Sequence, residues 1–169
     1  MNVILTGMMG SGKSAVGQEL ARELKFGYID MDEMIAEQVG VTINEIFKKK
    51  GEEYFRKKER EAVHLLCLMD SHVFATGGGV ILNPDNIKNF RENGKVIYLS
   101  ADPETLWNRL KIHEDRPLLK VADPLGKLKE ILSKREALYK ECDKEIKTVD
   151  KNIKVIVEEI IEFIKHEKV

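Results

Sequence analysis

The 169-residue chain carries 28 Lys+Arg against 29 Asp+Glu, a formal net charge of −1, and 43% apolar residues. That length supports one well-buried domain. The near-neutral balance gives no basic face for nucleic acid or an anionic membrane, and no apolar run approaches the ~20 residues that a membrane helix needs.

The first predicted element is a strand over residues 2–6, whose run Val3-Ile4-Leu5-Thr6 leads directly into Gly7-Met8-Met9-Gly10-Ser11-Gly12-Lys13-Ser14. This is the G-x-x-x-x-G-K-[ST] phosphate-binding pattern at a strand-to-helix turn. Gly7, Gly10 and Gly12 let backbone N–H groups approach a polyphosphate, Lys13 can reach the β- and γ-phosphates, and Ser14 offers a hydroxyl to a magnesium ion. A helix begins here, with Ala15, Val16, Leu20, Ala21 and Leu24 at helical spacing, and it adds its positive dipole end. A nucleoside triphosphate is the expected ligand. The pattern stands so close to Met1 that no signal segment is expected, and Cys67 and Cys142 lack metal or redox spacing, so a reduced, cytoplasmic setting is expected.

Further strands are predicted over 27–30, 72–76, 95–99 and 145–149. Helices are predicted over 31–39, 43–49, 52–69, 84–93, 103–110, 125–142 and 152–166. Short β-branched runs alternating with helical periods argue for an α/β fold, a parallel sheet with helices on both faces. The stretch 111–123 holds Pro117 and a mixture of charges, and reads as an irregular excursion: a surface connection or a lid.

Ligands of such sheets collect at the carboxyl ends of the strands. The second strand ends Asp30-Met31-Asp32, and the third runs into Gly77-Gly78-Gly79. Two carboxylates beside a phosphate loop need a cation or hydroxyl partner, although Asp32 could instead cap the next helix. Three consecutive glycines could form a plain flexible turn, but at a strand end they more often mark a place where a ligand touches main chain. On the helix 125–142, Arg135 interrupts an apolar stripe of Leu128, Ile131, Leu132, Leu138, Tyr139 and Cys142, and so requires an anion or carbonyl partner. On the helix 52–69, Glu59 falls on the inner face with Phe55, Ala62, Leu66 and Met69, and Arg56 stands at i−3 to it. Glu59 could hold Arg56 in a fixed pose, or the two could form an ordinary surface ion pair. Arg116 before Pro117 has the form of a cis-acting arginine finger. No guanine-reading Asn-Lys-x-Asp is present, and none of the four histidines has ligand spacing. These features describe a kinase for a small anionic metabolite.

Assembled, the motifs resemble shikimate kinase along nearly the whole chain. The matching segments are the loop 7–14, Asp30-Met31-Asp32, Phe55-Arg56-Lys57-Lys58-Glu59, Thr76-Gly77-Gly78-Gly79, Arg109, Arg116-Pro117-Leu118-Leu119 and Arg135. The resemblance implies a nucleoside-monophosphate-kinase-like three-layer α/β/α fold with a five-stranded parallel sheet and a lid. It implies one kinase domain over 1–169, with a substrate-binding region at about 31–60 and the lid at about 111–123. It implies transfer of the ATP γ-phosphate to the 3-hydroxyl of shikimate, toward chorismate and the aromatic amino acids. Asp32, Arg56, Gly78, Gly79 and Arg135 would bind shikimate, with Glu59 supporting that pocket. Gly10, Ser11, Gly12, Lys13, Ser14 and Ala15 would hold the nucleotide with Arg109 and Arg116. Ser14 would ligate one Mg2+ and Asp30 would reach it through water, while Lys13, Asp32 and Arg116 would form the catalytic set. Two features depart from relatives: the loop 148–152 lacks a proline beside adenine, and the third strand ends without an acidic residue near the metal. ATP and shikimate are the expected partners of a monomer, with neither nucleic acid nor membrane. Rivals of the same fold are gluconate and nucleotide kinases; a nucleotide-binding regulatory module is a rival of another class.

Overall fold

The computed structural model describes residues 1–111 and 121–167. Five parallel strands form one sheet: β1 (Asn2–Thr6), β2 (Gly27–Asp30), β3 (His72–Ala75), β4 (Gly94–Ser100) and β5 (Lys144–Lys147), in the order β2-β3-β1-β4-β5. The helices are α1 (Lys13–Leu24), α2 (Met31–Val39), α3 (Ile43–Cys67), α4 (Pro84–Asn93), α5 (Pro103–Leu110), α6 (Pro124–Tyr139) and α7 (Ile153–His166).

Every residue of β1 is buried, as expected of a central strand covered on both faces. Its alternation sorts the core into two layers. Val3 and Leu5 point to the cluster that packs α1 and α7, through Val16, Leu20, Val157 and Ile160. Ile4 points to the other cluster, which packs α2 to α6 through Ile35, Phe55, Phe90, Leu106 and Leu128. This is the three-layer α/β/α arrangement that the sequence pattern predicts.

Local chemistry sets the helix ends. Asn83, Asp102 and Asn152 cap α4, α5 and α7 by accepting from main-chain N–H groups two or three residues on, each satisfying an otherwise orphaned donor. Thr42 and Glu45 form a capping box at the start of α3. The predicted helices 43–49 and 52–69 join end to end as α3, which breaks at Gly51 (φ 83°, ψ 171°), a conformation open chiefly to glycine. Met69, predicted on the inner face of the second helix, lies beyond its end and is 36% exposed. No helix among the described residues is long and apolar enough to cross a membrane.

Because all strands run the same way, the loop after β1, the carboxyl end of β2 and the glycines after β3 share one edge of the sheet. β1 lies between β3 and β4, so the chain crosses over at the phosphate loop.

Candidate active site

The phosphate loop is shaped by backbone that only glycine adopts readily. Gly7 (φ 144°), Gly10 (φ 79°) and Gly12 (φ 95°) all have positive φ, and a methyl group at Gly7 would lie 2.5 Å from the Leu99 carbonyl oxygen. Gly12 is the N-cap of α1, so that helix opens directly onto the loop. Lys13 Nζ donates to the Gly7 and Met8 carbonyls at 2.8 and 2.9 Å, across the mouth of the loop. Ser11 is 2% exposed, and its hydroxyl has no hydrogen-bond partner among the described residues. A buried hydroxyl in that state costs about 1–3 kcal/mol, which an incoming phosphate oxygen would offset.

Ser14 Oγ donates to Asp30 Oδ2 at 2.8 Å. The other oxygen of Asp30 accepts from the N–H groups of Asp32 and Glu33 at 3.1 and 3.3 Å. Asp30, not Asp32, therefore caps α2, which corrects the capping alternative for Asp32. Tyr28 stands beside this pair; burial and the Asp30 charge push its phenol up to about 12. Thr76, just after the third strand, turns inward and donates to the Leu5 carbonyl at 2.9 Å, and the carboxylate bonded to Ser14 is Asp30. Hydroxyl and carboxylate oxygens suit Mg2+, which takes few protein ligands and keeps the rest for water and phosphate.

A groove of about 980 Å³ runs from Ser11, Gly12 and Ala15 past Arg109 to Thr148 and Asn152. Arg109 is pinned there by bonds to the Gly10 carbonyl (3.3 Å), Thr148 Oγ1 (3.0 Å) and the Thr148 carbonyl (3.0 Å). One bond to the phosphate loop and two to Thr148 fix the guanidinium plane between them, a pose suited to stacking on a flat ring. Thr148 is fully buried and bonded to the Ser100 carbonyl, so the loop after β5 is anchored without a proline.

The second half of the site is a wall made by the three glycines. A methyl group at Gly77 would lie 2.6 Å from Asp32 Oδ1, and one at Gly79 would lie 2.5 Å from both Nη1 and Nη2 of Arg56. The absence of Cβ there serves close approach, since neither glycine has a positive φ. Between them, a methyl at Gly78 would lie 3.5 Å from the Gly7 carbonyl and 3.7 Å from the Met9 nitrogen, so this wall abuts the phosphate loop. Arg135 Nη1 and the Tyr139 hydroxyl both donate to the Gly78 carbonyl. Arg135 thus has the carbonyl partner that its place on the apolar stripe requires.

Glu59 is 1% exposed, and both of its oxygens accept from Arg56 Nη1 at 3.0 and 2.9 Å. Burial raises its pKa above the usual glutamate value, and the Arg56 charge opposes the rise. Arg56 also bonds Glu52 on its exposed side. The pair is a buried clamp, not the ordinary surface ion pair. Gly79→Ala is expected to push the Arg56 guanidinium off this wall and raise the KM for an anionic acceptor at least 10-fold, with the KM for nucleotide within twofold; steady-state kinetics on both substrates checks it.

The structure brings together Lys13, Ser14, Asp30, Asp32, Arg56, Glu59, Gly78, Gly79, Arg109 and Arg135 along one edge of the sheet. Arg116 and most of the 111–123 excursion lie outside the described residues. Sequence reasoning missed Thr148 as the partner of Arg109 and Gly77 as the seat of Asp32, and it counted Tyr139 only as core. For Tyr139 a signal existed: it lies one helical turn beyond Arg135 on the same stripe.

A family model described as shikimate kinase matches residues 9–165. A shikimate kinase of Caldanaerobacter subterraneus subsp. tengcongensis is 47% identical over 128 residues, 76% of this chain and 75% of the relative. A structure of shikimate kinase from Acinetobacter baumannii in complex with shikimate superposes with a TM-score of 0.94 at 35% identity, covering 99% of this chain and 94% of the other. A gluconokinase from Sinorhizobium meliloti 1021 shares the fold alone, at 16% identity and a TM-score of 0.60 over 94% and 87% of the two chains.

Proposed function

The chain belongs to the shikimate kinase family, and on that premise we propose how its residues divide the ATP-dependent phosphorylation of shikimate. The observation that carries the proposal is the shared wall: Asp32 and Arg56 pack on the outer two of three glycines whose middle member abuts the phosphate loop. A carboxylate and a cation are thereby held within one tripeptide's reach of the triphosphate cradle.

Arg56 and Arg135 clamp the shikimate carboxylate, the geometry in which a guanidinium fork pairs most strongly. Glu59 holds Arg56 from behind, so the guanidinium is oriented before substrate arrives. Asp32 accepts a hydrogen bond from the acceptor hydroxyl and turns its oxygen toward the γ-phosphorus. The hydroxyl oxygen forms the new P–O bond as the bond to the β-phosphate oxygen breaks, and ADP leaves with those electrons. The proton passes to Asp32 or to solvent late in the step, because the transition state is loose and carries its charge on the equatorial oxygens. Lys13 leaves the Gly7 and Met8 carbonyls to neutralise that charge, aided by Arg116. Gly10, Ser11, Gly12 and Ala15 line the cradle, and Arg109 stacks on adenine. Ser14 and Asp30 would hold Mg2+, which would supply charge neutralisation to the phosphates. The domain plan is one kinase unit with a substrate-binding region at about 31–60 and a lid at about 111–123.

ADP release by purified protein, offered shikimate, gluconate, AMP or no acceptor, tests this reading. Turnover is expected with shikimate alone, and a chelator should lower it to background until Mg2+ is returned. Turnover with gluconate or AMP but not shikimate would overturn the substrate assignment. Undiminished turnover in chelator would overturn the metal assignment.

A further inference from the structure

Tyr139 is 1% exposed, so its ring belongs to the core, yet its polar end is not idle. The hydroxyl donates to the Gly78 carbonyl, the same oxygen that Arg135 Nη1 reaches at 3.3 Å. Its ring stacks on Tyr98 of β4 with centroids 5.0 Å apart and planes 10° from parallel. The phenol is therefore fixed from both ends: by the sheet through Tyr98, and by α6, which carries Arg135 one turn earlier. Burial raises its pKa to about 12, and the Arg135 and Arg56 charges oppose the rise.

The Gly78 carbonyl and the Gly79 N–H belong to one peptide unit. No peptide bond among the described residues is cis, so in this planar trans unit the two groups point in opposite directions. Gly78 and Gly79 have no side chains to lock that plane, and glycine peptides rotate easily. What anchors the carbonyl also aims the N–H.

We propose that Tyr139 is a positioning residue of the acceptor site, which sets the tilt of the 78–79 peptide and the pose of Arg135 through their shared carbonyl. The inference rests on the reading of Gly79 and Arg135 as shikimate contacts. Two donors on one oxygen make the arrangement mutual. With the phenol in place, the Gly79 N–H points away from α6 and the Arg135 guanidinium has one docking point rather than a choice of carbonyls. Without the hydroxyl the ring still fills the core, but the peptide can rock and Arg135 holds it alone.

The test is Tyr139→Phe, with Tyr98→Phe as a control that removes the neighbouring hydroxyl on the same stacked pair. For Tyr139→Phe, shikimate KM and the calorimetric Kd for shikimate without ATP are expected to rise about 3- to 10-fold, the loss of one hydrogen bond's orientation. The KM for ATP should stay within twofold, and Tyr98→Phe should leave both within twofold. A purely structural role would lower the melting temperature and move both substrates' constants together. Unchanged shikimate affinity, or equal changes for ATP and shikimate, would overturn the proposal. On the unsubstituted protein, adding shikimate should shift the NMR signals of the Gly79 amide and the Tyr139 hydroxyl together. A Gly79 shift with a static Tyr139 hydroxyl signal would also overturn it, even if Tyr139→Phe failed to fold. If the parent neither binds nor turns over shikimate, the acceptor assignment itself fails; a competent parent with a fully competent Tyr139→Phe refutes this inference alone.

Discussion

Arg56→Ala is expected to weaken shikimate binding and to destabilise the fold in the same step. The guanidinium is one of two on the proposed substrate carboxylate, and charge-assisted bonds of this kind contribute about 1.5–3 kcal/mol, so shikimate KM should rise roughly 10- to 100-fold. The second effect comes from behind. Glu59 is 1% exposed and takes both its bonds to a single nitrogen of Arg56. Removing one partner of a buried pair costs about 3–5 kcal/mol, or roughly 6–20 °C in Tm for a domain of this size.

The pH dependence identifies the cause. Burial already holds the Glu59 pKa above its ordinary value, and Arg56 is the first opposing influence, so the variant's Glu59 should titrate higher still. A carboxyl with a folded pKa above its unfolded one stabilises the fold fully below the unfolded value and loses that contribution as pH rises through the folded pKa. The Tm deficit of Arg56→Ala should therefore be smallest near pH 5 and widen toward pH 8. Adding Glu59→Gln should restore most of the Tm at pH 8 and none of the shikimate affinity. A pH-independent deficit, or full recovery of KM in the double variant, would contradict the clamp.

Lys13→Ala is expected to produce the largest loss of turnover. Removing a preorganised donor to developing charge lowers kcat about 10²- to 10³-fold in enzymes that rely on such donors. Lys13 spans the loop mouth to the Gly7 and Met8 carbonyls, and on the proposed reading it exchanges those neutral acceptors for the phosphoryl group in flight. Its contribution should therefore appear mainly in kcat, with a smaller rise in ATP KM. Lys13→Arg should recover little, because a planar fork does not fit a site built for a compact charge. Single-turnover phosphoryl transfer at saturating substrates checks the claim. A rise in ATP KM with unchanged kcat would reduce Lys13 to ground-state binding.

Of the residues in these two predictions, Lys13 was legible before any tertiary information, whereas Arg56 and Glu59 could equally have formed an ordinary surface ion pair. The phosphate loop is local in sequence, and its glycines and lysine need only the strand and helix that flank them. Arg135 and Glu59 were visible as charges on apolar stripes, because helical periodicity reports which face of its own helix a residue shares. The strands were legible from alternating β-branched runs, although predicted bounds at 95–99 and 145–149 shift to Gly94–Ser100 and Lys144–Lys147 in the sheet. Local pattern does not see the neighbour that ends a strand.

What the chain by itself determined was the inventory: a triphosphate cradle, two carboxylates at a strand end, a run of three glycines, and two arginines with an acid to hold one of them. The tertiary structure alone decided which of them meet and through which atoms. Asp30 rather than Asp32 became the cap because Met31 begins α2 directly at the strand end, which leaves Asp32 against Gly77. Gly79 lacks a side chain because Arg56 arrives from α3, and Tyr139 turned from core filler into a donor because the Gly78 carbonyl faces it from the sheet edge. A residue's periodicity records its own helix or strand; the reason a glycine must be bare, or a phenol polar, lies in atoms far off in sequence that only folding brings into contact.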